Sequence, residues 1–184
     1  MIFEFPDVPI EIRSRKTDKV YILARGDRVL LDERARARIV SICNEPDVYD
    51  NVFAAILNGA RYTERHATTF TKLVSDGWAN GDRFDWLILH KNEIVGTIGI
   101  KSLHGEIGYW QCNEHPGVMT SAARSVCSLA KAARLPSMWA YVKKTNAPSI
   151  KVLEGAGFVL DAALTERRED AYGYRSDFQQ STDI

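Results

Sequence analysis

The chain has 184 residues, 45% hydrophobic and 26% charged, with 24 basic side chains against 24 acidic ones. That composition excludes a disordered, collagenous or disulfide-built chain, and zero net charge excludes a global field drawing the protein to nucleic acid or an anionic membrane. The length suits a single domain over residues 1–184, with 1–18 as an N-terminal extension. No apolar run approaches the roughly 20 residues of a membrane span and the opening segment lacks the pattern of a leader, so a cytoplasmic protein is expected. Cys43, Cys112 and Cys127 are odd in number and form no C-x-x-C pair, and the four histidines are scattered without an H-E-x-x-H arrangement. Free thiols and no metal are expected.

In chain order, the stretch to Asp18, broken by Pro6 and Pro9, reads as an edge strand or extended arm. Alternation over Val20–Arg25 gives a strand. Asp32 caps a helix with Ala35, Ile39, Ile42 and Cys43 on one face, ended by Pro46. A second helix carries Val48, Val52, Phe53 and Ile56, and a third, capped by Thr63, buries Ala67, Phe70, Leu73, Val74 and Trp78 before Asn80-Gly81. From Phe84 the period becomes that of strands: FDWLIL, EIVGTIGI and EIGYWQC form a meander. A helix then opens at Thr120 with Met119, Ala123, Val126, Cys127, Ala130 and Ala133 as its apolar stripe. Strand SMWAYV, a helix capped by Asn146 and closed by Gly157, a strand from Phe158 and a last strand AYGYRSDF follow. This order gives an α/β (α+β) fold, a central mixed twisted sheet with helices on both faces.

The loop NEHPGVMT joins a strand to a helix N-terminus, so free N–H groups converge there, and Gly117 permits close approach. Phosphate or pyrophosphate is the ligand such a loop takes; a tight structural turn is the bland alternative. The loop is neither a P-loop nor a dinucleotide-binding fingerprint. Among the four tryptophans, Trp86 and Trp139 read as core, Trp78 lies on an apolar helix stripe and Trp110 stands at the end of a strand. The run Arg34, Arg36, Arg38 reads as one solvated helix face.

Taken together, GEIGYW, the PGVMTSA helix start, the N-x-x-S of Asn146–Ser149 and the GAGF exit resemble the GNAT acyltransferase superfamily, specifically its RimJ/RimL-type branch. The resemblance covers about Asp85 to Phe158. It departs at the loop, where Glu114 stands for Gln/Arg, Met119 for a small residue, and Pro116 removes an N–H donor; His115 offers a compensating charge. The resemblance implies an acetyl-CoA-dependent N-acetyltransferase acting on a primary amine, either a peptide or protein N-terminus or a small molecule, by direct attack.

It implies further that EIGYWQC and SMWAYV splay apart so that the cofactor pairs as a pseudo-strand. Trp110, Gln111, Cys112, His115, Gly117, Val118, Met119, Thr120, Asn146 and Ser149 are the expected acetyl-CoA contacts. Glu106 is the expected base, directly or through water, and Ser149 the expected acid, since Leu153 occupies the place of the tyrosine used elsewhere. Trp110 and Trp78 are candidate substrate contacts. A monomer or homodimer without nucleic-acid or membrane partners is expected. The alternative is a catalytically inactive GNAT-like sensor that holds CoA or another nucleotide.

Overall fold

The computed structural model describes residues 3–178, so positions 1, 2 and 179–184 of the expected domain lie outside the described residues. The arm becomes a true edge strand: β1 (Ile10–Arg13) pairs antiparallel with β2 (Val20–Arg25). Phe5 anchors the segment before it, its ring buried against Phe84, Trp86 and Trp78.

Helix α1 (Glu33–Cys43) starts where Asp32 accepts a hydrogen bond from the Ala35 amide at 2.9 Å, and it sinks Ile39, Ile42 and Cys43 into the core. The expected second helix is only a short α2 (Pro46–Val48) running into a π-helical turn at Tyr49–Phe53. Ile56 is left 72% exposed, so no continuous apolar face exists to hold a longer regular helix. Helix α3 (Glu64–Asn80) is entered through a capping box between Thr63 and His66 and left through Gly81 in the left-handed region.

Strands β3 (Phe84–His90), β4 (Glu93–Ile100) and β5 (Ile107–Gln111) complete the meander, and β1 to β5 form one five-stranded antiparallel sheet in sequence order. Helix α4 (Val118–Ala132) starts two residues before Thr120, because Gly117 at φ +84° already serves as its N-cap. Then come β6 (Ser137–Lys143), α5 (Ala147–Gly155), a two-residue β7 (Val159–Leu160), a short α6 (Ala162–Thr165) and β8 (Ala171–Asp177). These last strands form a second antiparallel sheet in the order β6-β8-β7.

The two sheets meet where β5 and β6 run parallel, through one bridge between Glu106 and Trp139. That contact is what makes the sheet mixed. Backbone groups alternate sides along a strand. The Cys112 amide bonds Val95 O and the Lys101 amide bonds Glu106 O, so even-numbered residues of β5 serve β4 and odd-numbered ones face β6. Ile107 lies at the bridge. Beyond it, Tyr109 and Gln111 have no partner strand among the described residues, and on β6 the corresponding groups are those of Tyr141, since β6 is laddered to β8 on its other side. Side chains alternate too: Glu106, Gly108, Trp110 and Cys112 face α1 and α3, whereas Tyr109 and Gln111 face α4 and α5.

The closed end of this fork depends on Gly105. Its φ is +83°, and its carbonyl accepts from the Trp139 amide at 2.9 Å. A Cβ there would fall on the Ser137 carbonyl oxygen. Gly105→Ala is expected to destabilise the fold by at least the roughly 1–3 kcal/mol of a strained left-handed residue, read as a lower urea midpoint with an unchanged slope.

Candidate active site

Helix α5 places Ser149 in its first turn. Asn146 caps the helix by accepting from the Ser149 amide at 3.1 Å, which fixes the serine's backbone. The Ser149 hydroxyl then lies 2.6 Å from the Tyr109 hydroxyl, which also reaches the Ser149 carbonyl at 3.2 Å. Burial pushes the Tyr109 phenol well above its usual range, so it stays protonated. A Tyr109 proton donated to Ser149 Oγ leaves the serine's own proton free for a third group. The pair therefore forms a two-hydroxyl relay beside the unpaired edge of β5. Sequence reasoning assigned Ser149 and read Tyr109 only as part of the strand motif; what it lacked was the register that stacks β5 on the start of α5. Leu153 is fully buried.

Glu106 sits on the opposite face at the fork's closed end, with its side chain 37% exposed and Oε1 3.8 Å from Lys101 Nζ. Trp110 shares that face, packed on Phe70 at 5.9 Å between ring centroids and 8% exposed. Acid-side hydroxyls and a carboxylate thus stand on the two faces of one strand.

The loop before α4 is braced from within and without. Gln111 donates to the His115 carbonyl at 3.1 Å and accepts from the Met119 amide at 3.2 Å, so Met119's N–H is already used. The β1–β2 turn lies over Gly117: Ser14 Oγ donates to Pro116 O at 2.8 Å and the Arg15 amide donates to Gly117 O at 3.1 Å. A Cβ at Gly117 would meet Lys16 N and Cγ at 2.9 Å. Basic residues therefore do stand at this loop, delivered from a segment about one hundred positions away. Val118 and Met119 are buried, and the Thr120 side chain packs on Gly155.

Four expectations change. His115 does not compensate Glu114: its ring is 7% exposed, 2.9 Å from the Tyr21 hydroxyl at Nδ1 and packed on His90. Burial, then Lys19 and His90, lower its pKa from the usual imidazole value, so it is neutral at pH 7. Cys112 cannot lend its main chain to a pseudo-strand, because its amide is spent on Val95, and its buried thiol lies 3.6 Å from Arg38 Nη2. Trp110 is likewise laddered to Thr97, so on β5 the main-chain groups that face β6 are those of Tyr109 and Gln111. Trp78 donates its indole N–H to Asp85 O at 2.9 Å and packs on Phe5, Phe84, Trp86 and the Arg25 guanidinium, which commits its ring and N–H to a structural cluster.

The arginine run also divides: Arg34 and Arg36 meet Glu93 and Glu64, while Arg38 turns inward to Ile94 O and Cys112. Cys112, Glu114 and His115 lie close enough to suggest a metal cluster, with ligand atoms within 4.8 Å of one another. The Arg38 guanidinium beside the sulfur and the Tyr21 bond to His115 oppose one. No helix among the described residues is long and apolar enough to cross a membrane.

The acetyltransferase (GNAT) domain model matches residues 29–159, and the chain belongs to that family. No curated protein matches it by sequence. Solved structures share the fold at low identity. An acetyltransferase from Agrobacterium tumefaciens str. C58 superposes with TM-score 0.70 at 20% identity, covering 98% of each chain. Mycobacterium smegmatis RimJ in complex with CoA-disulfide gives 0.70 at 22%, covering 96% of this chain and 90% of that one. The microcin C7 self-immunity acetyltransferase MccE, in complex with acetyl-CoA and AMP, gives 0.67 at 15%, covering 88% and 93%.

Two predictions follow from these contacts. Tyr109→Phe removes the relay without opening a cavity and is expected to lower turnover by about ten- to a hundredfold, somewhat less than loss of a full general acid, with ligand affinity unchanged by calorimetry. His115 has a folded pKa below its unfolded value of about 6.5, so the unfolded state binds more protons as pH falls. Its stabilising contribution is complete above pH 6.5 and is lost as pH drops through the folded pKa. His115→Gln should therefore show a smaller fall in melting temperature between pH 7.5 and 5.5 than the parent.

Proposed function

We propose that this protein is an acetyl-CoA-dependent N-acetyltransferase of the RimJ/RimL-type branch, moving an acetyl group to the primary amine of a peptide N-terminus or a small molecule. The observation that carries the reading is the fork itself. Two parallel strands touch once, at Glu106 and Trp139, and then present unpaired main-chain groups with a hydroxyl relay beside them. A ligand carrying amides in an extended arm satisfies those groups as a strand would. Acetyl-CoA supplies such an arm together with an acetyl thioester already activated for transfer.

The chain's own residues do the rest. Tyr109, Gln111 and Tyr141 hold the arm through their backbones. The first turn of α4 from Gly117, with Lys16 and Arg15 beside it, receives the pyrophosphate, and this cationic pair offsets Glu114. Ser149 Oγ, backed by Tyr109, hydrogen-bonds the sulfur as negative charge develops there. Glu106 takes the proton that the acceptor must shed, since an α-ammonium of pKa about 7.7–8.0 is mostly protonated at neutral pH. The acceptor enters on the face of Glu106 and Trp110, opposite the relay. The Ser149 and Leu153 pattern and the shared fold with RimJ support the branch.

Calorimetry and thermal unfolding with acetyl-CoA, CoA and ATP test the reading. A bound ligand at 100 times its Kd adds about 2.7 kcal/mol, a rise of roughly 5–10 °C for a chain of this size. The expected result is a rise with acetyl-CoA and CoA and none with ATP, followed by thiol release with a suitable amine. Glu106→Gln and Ser149→Ala should each lower kcat by at least tenfold at unchanged CoA affinity. No binding of either CoA species would overturn the reading.

A further inference from the structure

Lys101 follows β4 and begins the turn to β5. Its amide donates to Glu106 O at 2.7 Å, and its side chain folds back along the neighbouring strand. A Cβ on Gly108 would fall on Lys101 Cε and Nζ, so the absent side chain at Gly108 is what gives the amine its place. That place lies on the acceptor face of β5, with Glu106 Oε1 3.8 Å from Nζ. One residue further on is Tyr109, whose main chain is the first unpaired group of the fork and whose hydroxyl meets Ser149 on the opposite face. A primary amine, a carboxylate to take its proton and a hydroxyl pair to meet a leaving sulfur therefore bracket the same two residues of β5. Lys143, at the end of β6, differs: its amine is held by the Asp50 carbonyl.

We infer that Lys101 is an internal acetyl acceptor, a modification site that the protein acetylates on itself when no external amine fills the groove. The inference rests on the acetyl-CoA reading above. Glu106 removes a proton from the Lys101 ammonium. The Nζ–C bond forms on the acetyl carbonyl, the second Nζ proton passes to solvent, the C–S bond breaks, and the sulfur leaves as a thiolate that Ser149 hydrogen-bonds and solvent protonates. The products are Nε-acetyl-Lys101 and free CoA thiol, with no oxidant or further reactant. The new amide is neutral, so it no longer pairs with Glu106, and it fills the space over Gly108. Modified protein is thus a poorer catalyst toward external amines.

The test incubates the whole protein with acetyl-CoA and follows intact mass and peptide mapping over time, with binding measured in parallel by calorimetry. One acetyl group is expected at Lys101, added at least tenfold faster than at Lys143 and at least tenfold faster than in the urea-unfolded chain. Lys101→Arg should abolish that increment, and Ser149→Ala should slow it at least tenfold while background acetylation of surface lysines is unchanged. If acetyl-CoA binds but Lys101 is modified no faster than Lys143, or equally fast in Ser149→Ala, the internal acceptor is refuted and the N-acetyltransferase reading stands. If acetyl-CoA does not bind, both fall.

Discussion

The structure turns on a single parallel contact. Glu106 and Trp139 bring β5 and β6 together once, and among the described residues every other strand pair in the two sheets is antiparallel. Unpaired backbone groups inside a fold are costly, so chains normally close such gaps. Here the gap is held open by the structures that follow each strand: β5 runs into a loop and α4 on one side, and β6 into the Asn146 cap and α5 on the other. This unsatisfied strand edge is the feature on which the proposed cofactor site rests.

Around that opening the two faces of β5 have different chemistry because side chains alternate along it. One face carries Tyr109 and, through α5, Ser149, where burial keeps the phenol protonated. The other carries Glu106, Gly108 and Trp110, with Lys101 folded over the glycine. The hydroxyl pair and the carboxylate are kept apart by the strand itself. A transfer that needs a proton removed on one side and negative charge met on the other can then run across it.

The loop at the head of α4 is held by distant parts of the chain. Ser14 and Arg15 bond its carbonyls, Ser121 donates to Arg13 O at 2.7 Å, and Asn113 is tied to Glu45 and Asp47. Gln111 braces it from below. Such a loop pays little ordering entropy when a ligand arrives, and the β1–β2 turn brings cations to a segment whose own sequence offers an acidic residue and a proline.

Much of this was legible in the residues. The change from helical to strand period at Phe84, the Asp32, Thr63 and Asn146 caps, the glycine at 117 and the placement of Ser149 all follow from local chemistry, and local chemistry is what a sequence states directly. The second helix was not legible, because Val48, Val52, Phe53 and Ile56 are spaced correctly and only the absence of a surface to cover Ile56 decides against them. His115, Cys112 and Trp78 belong to the same class: each is a plausible ligand by type, and each is committed elsewhere by Tyr21, Val95 or Asp85. The sequence alone determined most of the elements and the residue types they carry, since periodicity and capping act over a few positions. Only the tertiary structure decided which strand edge stays unpaired, that Tyr109 backs Ser149, and that Lys16 and Lys101 stand where they do, because these depend on register and on contacts between segments far apart in the chain.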